Sequence, residues 1–147
     1  KRPQNLKFAP GKWAITGGSA LQGEDSITAA CRETKEELGI DIYPINKPIR
    51  YKRKNDFTDI WVVKQDINLD DIKMQKEEVS DVKWVTIEEL RAMICRGEFY
   101  RYSDEYFGLL LEYIKDNNKT FGYLETSSES SMDFWNSDMD DEVWNNV

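Results

Sequence analysis

Apolar residues recur at helical spacing in one stretch of this chain and alternate with polar ones in others. Between residues 25 and 38, Ile27, Ala30, Cys31, Thr34 and Leu38 form an apolar stripe at the 3.6-residue period. Asp25 or Ser26 is placed to cap the start of this helix and Gly39 to end it. Residues 12–16 read as a short strand, and Gly17, Gly18 and Gly23 mark the loop that follows. Residues 40–53 read as extended and are broken by Pro44 and Pro48, whereas 57–67 carry the β-rich run Ile60-Trp61-Val62-Val63. Residues 79–85 alternate Val79, Val82 and Trp84-Val85 with charges, and predict another strand. Thr86 and Glu89 have capping-box spacing and open a helix to about residue 96. A last helix is predicted over 104–115, with Phe107, Leu110, Leu111 and Ile114 facing inward. Strands interspersed with two or three helices predict a layered α/β domain.

Composition narrows the chemistry. The 147 residues fit one domain. Among them are 20 Lys and Arg, 28 Asp and Glu and no histidine, with a net charge of −8. That balance argues against a general nucleic-acid binder, and the lack of histidine excludes imidazole acid–base chemistry, serine triads and histidine-ligated zinc. Two cysteines, Cys31 and Cys95, are too few for a disulfide framework and read as buried thiols. No signal peptide is visible, so the expected location is cytoplasmic. The charge is uneven: residues 120–147 hold seven acids and no Lys or Arg, leaving the body near neutral. The expected organisation is a domain over 1–118 and an acidic, aromatic-containing tail over 119–147.

The chemistry concentrates between Gly18 and Ile40. A glycine-bearing loop feeds a helix whose C-terminal half carries Arg32, Glu33, Glu36 and Glu37. At about 100° per residue, Glu36 lies about 60° to one side of Glu33 and Glu37 about 40° to the other. The three carboxylates therefore share a face opposite the apolar stripe. Such crowding is self-repulsive, and hard oxygen donors of this kind suit Mg²⁺ or Mn²⁺. The competing reading is a solvated face, since Lys35 lies within the run. Arg32 is placed to brace a glutamate by a charge-assisted hydrogen bond.

Spacing decides between these readings. Gly18, five residues, Glu24, seven residues, Arg32-Glu33, then Thr34, Lys35, Glu36-Glu37, Leu38, Gly39 and Ile40 resembles the Nudix box, G-x5-E-x7-R-E-U-x-E-E-x-G-U with U aliphatic. All of the fixed residues match, and Thr34 is the departure, at an aliphatic position. Pro10-Gly11-Lys12-Trp13 ahead of the box, and the 78–85 run with its following helix, resemble other parts of the family, so the similarity spans about residues 8–115.

The resemblance implies a Nudix-type α/β/α sandwich around a mixed sheet. It implies Mg²⁺-dependent (or Mn²⁺-dependent) hydrolysis of a pyrophosphate bond in a nucleotide or nucleoside-diphosphate-linked substrate. Glu36 and Glu37 would be metal ligands, Glu33 a ligand or the base for water, and the Gly17 carbonyl would complete the site. Arg32 would hold the glutamates and Glu24 would support the box. Glu78 is a candidate extra acid; Glu77 beside it is weighed in the same way. The alternative is a nucleotide-binding or regulatory module without turnover. The style is also similar to the isopentenyl-diphosphate isomerase branch, but that enzyme's cysteine before the box and its metal-binding histidines are absent here.

Trp13, Phe57 and Trp61 could stack on a base, although core packing is the expectation for each. Arg50, Lys52, Arg53 and Lys54 read as a solvated edge strand. Compared with the family, few residues precede the lead-in, so one or more N-terminal strands are expected to be missing. Residues 119–124, a possible strand, or a second copy in a homodimer would fill that edge. The expected partners are a nucleotide-type small molecule and possible second copy, with no membrane.

Overall fold

The computed structural model describes residues 1–119. The chain divides into compact units of residues 1–110 and 111–147. Three α-helices, α1 (Ser26–Leu38), α2 (Ile87–Cys95) and α3 (Asp104–Lys119), accompany two strands, β1 (Ile49–Lys52) and β2 (Phe57–Ile60). The architecture is α/β, as the sequence pattern implies. Its regular sheet among the described residues is a two-stranded antiparallel hairpin, with Ile49 opposite Ile60, Arg50 opposite Asp59 and Lys52 opposite Phe57, in place of the fuller mixed sheet.

Local signals set the helix ends. Asp25 caps α1 by accepting from the Thr28 amide at 2.9 Å, and Gly39 closes it in the left-handed region at φ +71°. Thr86 and Glu89 form the reciprocal capping box of α2. The carbonyls left over at the end of α1 are taken up by a crossing segment: Gln75 N–H donates to Glu37 O and Lys73 N–H to Leu38 O, both at 2.9 Å. That segment lies so close that a Cβ on Gly39 would come within 2.8 Å of Lys73 Cβ. Gly39→Ala is therefore expected to destabilise the fold by about 1–2 kcal/mol, through the left-handed backbone alone before any clash is added. A lowered urea midpoint with unchanged slope checks this.

The strands are shorter than the apolar runs. Pairing stops at Ile49–Ile60 because the next residue on the β1 side, Pro48, has no amide to donate. Residues 61–67 continue without a ladder, and the Trp61 indole donates instead to Ser26 Oγ at 2.9 Å. The predicted strand at 79–85 does not form. Val79 N–H closes a turn on Gln75 O, Ser80 N–H donates to Lys1 O, and Val82 N–H goes to the Asp81 side chain. At 12–16 only a single parallel bridge forms, between Trp13 and Phe99.

The core is assembled from Ala29, Ile60, Val79, Met93, Tyr106, Phe107 and Leu110. An aromatic group made of Phe99, Tyr100, Tyr102, Tyr106 and Phe107 lies at the start of α3, with Tyr102 stacked on Tyr106 at 4.6 Å. Phe57 is exposed rather than in the core, and Trp13 and Trp61 are half-buried. Cys95 is also exposed, so only Cys31 approaches the expected buried thiol. Arg50 and Asp59, opposite each other in the hairpin, form a two-pronged ion pair at 2.8 Å, consistent with a charged edge strand. The proposed filling strand at 119–124 lies outside the described residues apart from Lys119, which ends α3, and so does the acidic tail. No helix of the described residues is long and apolar enough to cross a membrane.

Candidate active site

The loop ahead of α1 is tied down by charge. Glu24 accepts the Leu21 amide at 2.9 Å and its own amide returns to Leu21 O at 3.0 Å, closing a turn that Gly23 enters at φ +84°. Arg32, one turn and a half into the helix, reaches back across that turn. Its Nε and Nη2 donate to the two oxygens of Glu24 at 2.9 Å, Nη1 donates to Glu33 and to Glu36 at 3.0 Å, and Nη2 also donates to the Ser19 carbonyl at 3.2 Å. All five donors of the guanidinium thus find oxygen, an arrangement that only its planar fork provides. The Arg32 side chain holds the Glu24 carboxyl below its ordinary range, helped by the Leu21 amide, while Glu24 and Glu33 push the Arg32 pKa upward.

The carboxylates are distributed differently from a simple outward face. Glu36 is the exposed one, its side chain 54% accessible, and Glu33 is at 17%. Glu37 is buried, at 8%. Ala29 and Glu37 turn inward and are buried, whereas Glu33 and the expected stripe of Ile27, Ala30, Cys31, Thr34 and Leu38 are half-buried. Burial, followed by the charges of Glu78 and Glu33, raises the Glu37 carboxyl to about 7. Arg2 and a hydrogen bond from the Thr16 hydroxyl act in the opposite direction. Glu78 reaches this position on the turn that begins at Gln75, whose carbonyl accepts the Glu78 amide at 2.9 Å.

The NUDIX domain family profile matches residues 1–103. This chain belongs to the Nudix family. An uncharacterised Nudix hydrolase of Listeria monocytogenes is 42% identical over 105 residues, covering 69% of this chain and 62% of that protein. An isopentenyl-diphosphate Δ-isomerase of Dinoroseobacter shibae is 30% identical over 138 residues, covering 86% of this chain and 75% of that protein. An NAD-capped RNA hydrolase of Stutzerimonas stutzeri is 28% identical over 69% of this chain and 37% of its own length. The chain thus spans about three-fifths of the length of the Listeria relatives.

In the Nudix box, the departure at Thr34 is accommodated because its hydroxyl donates to the Ala30 carbonyl at 2.8 Å, one turn back. Gly18 has a steric role. A Cβ there would lie 2.1–2.3 Å from the Glu33 carboxylate, which cannot swing away without leaving Arg32. With Glu33 a candidate ligand or base, Gly18→Ala is expected to displace it and lower kcat about tenfold; steady-state kinetics beside a circular-dichroism spectrum check it. Gly17 has open space around it.

The donors fit a divalent cation in kind: Glu33, Glu36, Glu37 and Glu78 offer hard oxygens. Glu37 is held near neutrality by burial beside two like charges, a strain that a cation would relieve. Their oxygens are not gathered in advance, since among the described residues no three acidic side chains converge on one ion position and Arg32 occupies oxygens of Glu33 and Glu36. Thr16 and Arg2, both neighbours of Glu37, were not legible as site residues. Thr16 sits outside the box, and Arg2 is 35 positions away in sequence.

Proposed function

We propose that this Nudix chain hydrolyses a pyrophosphate bond in a nucleotide or nucleoside-diphosphate-linked substrate, with Mg²⁺ or Mn²⁺ held by Glu33, Glu36 and Glu37 and the Gly17 carbonyl. The observation that carries the reading is the buried Glu37, coupled to Glu33 and Glu78 beside a fully engaged Arg32. A binding module would have no need to bury a carboxylate against two others. When bound, the cation would neutralise phosphate oxygens and lower the pKa of the attacking water. Water adds to one phosphorus and the bridging oxygen leaves with the other phosphate. Glu33, as ligand or base, or Glu78 would take the proton released, and Arg32 would fix the register of Glu33 and Glu36. The kinship to an isomerase does not favour isomerisation, because histidine is absent from the whole sequence and Ile15-Thr16 stand where that branch has its cysteine.

The test is a screen of nucleoside-diphosphate derivatives with Mg²⁺ and with Mn²⁺, reading phosphate or nucleotide release. Divalent-dependent turnover of at least one compound is expected. Tight binding of a nucleotide without release under every metal would replace this reading with the regulatory module.

A further inference from the structure

The loop that carries Thr16, Gly17 and Gly18 has little backbone support. Between Trp13 and Leu21, no backbone–backbone hydrogen bond forms among the described residues. At Trp13 the chain is fastened to residues 98–100: Trp13 N–H donates to Glu98 O at 2.9 Å, and Tyr100 N–H donates to Trp13 O at 2.6 Å. Beyond that point side chains hold the loop. Arg32 binds its far end, at the Ser19 carbonyl. Tyr102 binds its near end. The Ile15 amide donates to Tyr102 Oη at 3.2 Å, and the same hydroxyl donates to the Ile15 carbonyl at 3.5 Å.

Tyr102 is well fixed to do this. Its ring stacks on Tyr106 at 4.6 Å and meets Tyr100 edge-on at 4.7 Å and Phe107 at 5.7 Å. Tyr106 and Phe107 are themselves 6% and 4% exposed. A side chain locked on several sides by packed rings holds its hydroxyl at a defined point. The residue after Ile15 is Thr16, and Gly17 and Gly18 follow; Gly18 lies so close to Glu33 that a Cβ on it would come 2.1–2.3 Å from the carboxylate. A contact 87 residues distant in sequence therefore fastens the loop that packs on Glu33 through Gly18.

We propose that Tyr102 is a positioning residue for the cation site: it fixes the loop at Ile15 so that the Gly17-Gly18 backbone keeps its place against Glu33. The proposal rests on the reading of Glu33 and Glu37 as metal ligands. Nothing in the box motif includes Tyr102.

Mn²⁺ binding to the whole chain, followed by the free-ion electron paramagnetic resonance signal without substrate, tests it in wild type, Glu37→Gln and Tyr102→Phe. The phenylalanine keeps the ring and removes only the hydroxyl. Wild type is expected to bind, Glu37→Gln to lose binding, and Tyr102→Phe to bind about tenfold more weakly, the size of effect seen when an outer support of a metal ligand is removed. Hydrogen exchange of the metal-free protein supplies a second readout: amides of residues 15–18 are expected to exchange faster in Tyr102→Phe, while those of α1 keep their protection. Unchanged Mn²⁺ affinity in Tyr102→Phe, with Glu37→Gln defective, overturns the positioning role alone. A wild type that binds no Mn²⁺, or a Glu37→Gln variant that binds as well as wild type, overturns the metal-site reading and this proposal with it. Loss of α1 protection in Tyr102→Phe overturns the proposal in favour of a general packing role.

Discussion

Replacing Glu37 by Gln is expected to lower kcat by at least about 10²-fold, the scale on which removing one electrostatic partner of the reacting group acts, while making the metal-free protein more stable at alkaline pH. The two effects have one origin. Glu37 is buried beside Glu33 and Glu78, and its carboxyl is raised from an ordinary 4.5 to about 7. For an acid raised in this way, the folded state keeps a proton that the unfolded state has already released between those two values. Its contribution therefore favours folding most below pH 4.5 and is lost as pH rises through 7. Glutamine carries no such charge, so the variant avoids the loss. At pH 8 the difference in its favour is expected to be on the order of 1–2 kcal/mol, well under the full shift because water still screens the group. At pH 5 the two proteins should be close. Urea unfolding at both pH values without divalent ions measures this, and added Mg²⁺ should stabilise wild type but not the variant. A Glu37→Gln protein that turns over substrate at the wild-type rate, or is less stable than wild type at pH 8, would remove Glu37 from the centre of the site.

The helix ends and the box could be read directly from the residues because each depends on neighbours a few positions away. Asp25 finds the Thr28 amide, Gly39 adopts the left-handed turn, and Thr86 meets Glu89, whatever the rest of the chain does. Strand lengths could not. A ladder needs a partner, and Pro48 ends the one available to residues 61–67, while the amides of Val79 and Ser80 are claimed by a turn and by Lys1. The same distinction runs through the site. Helical periodicity puts Glu33, Glu36 and Glu37 on neighbouring rows of one helix, but only the fold decides that the side bearing Ala29 and Glu37 turns inward. The influences of Thr16 and Glu78 on Glu37 come from a loop and a turn that no spacing within the box describes.

Arg32→Lys is expected to lower kcat about 10–100-fold, the range found for losing a partner that orients a metal ligand, although the charge is preserved. Lysine can place its ammonium among Glu24, Glu33 and Glu36, but it has three donors on one atom in place of five on a fork. It cannot grip both oxygens of Glu24, bridge Glu33 to Glu36 and reach the Ser19 carbonyl together. Two consequences should separate. Releasing Ser19 frees the far end of the glycine loop, which would raise KM if the loop meets the substrate. Releasing Glu33 and Glu36 from a common donor leaves them free to move apart, which would raise the Mg²⁺ concentration needed for half-maximal rate. A lysine variant with wild-type kcat and metal requirement would show that Arg32 serves only as a counter-charge. Glu24→Gln provides the matching control. It keeps one acceptor oxygen for Arg32 but loses the other, and it is expected to fall between wild type and Arg32→Lys, since Glu24 touches neither Glu33 nor Glu36 except through the arginine it anchors.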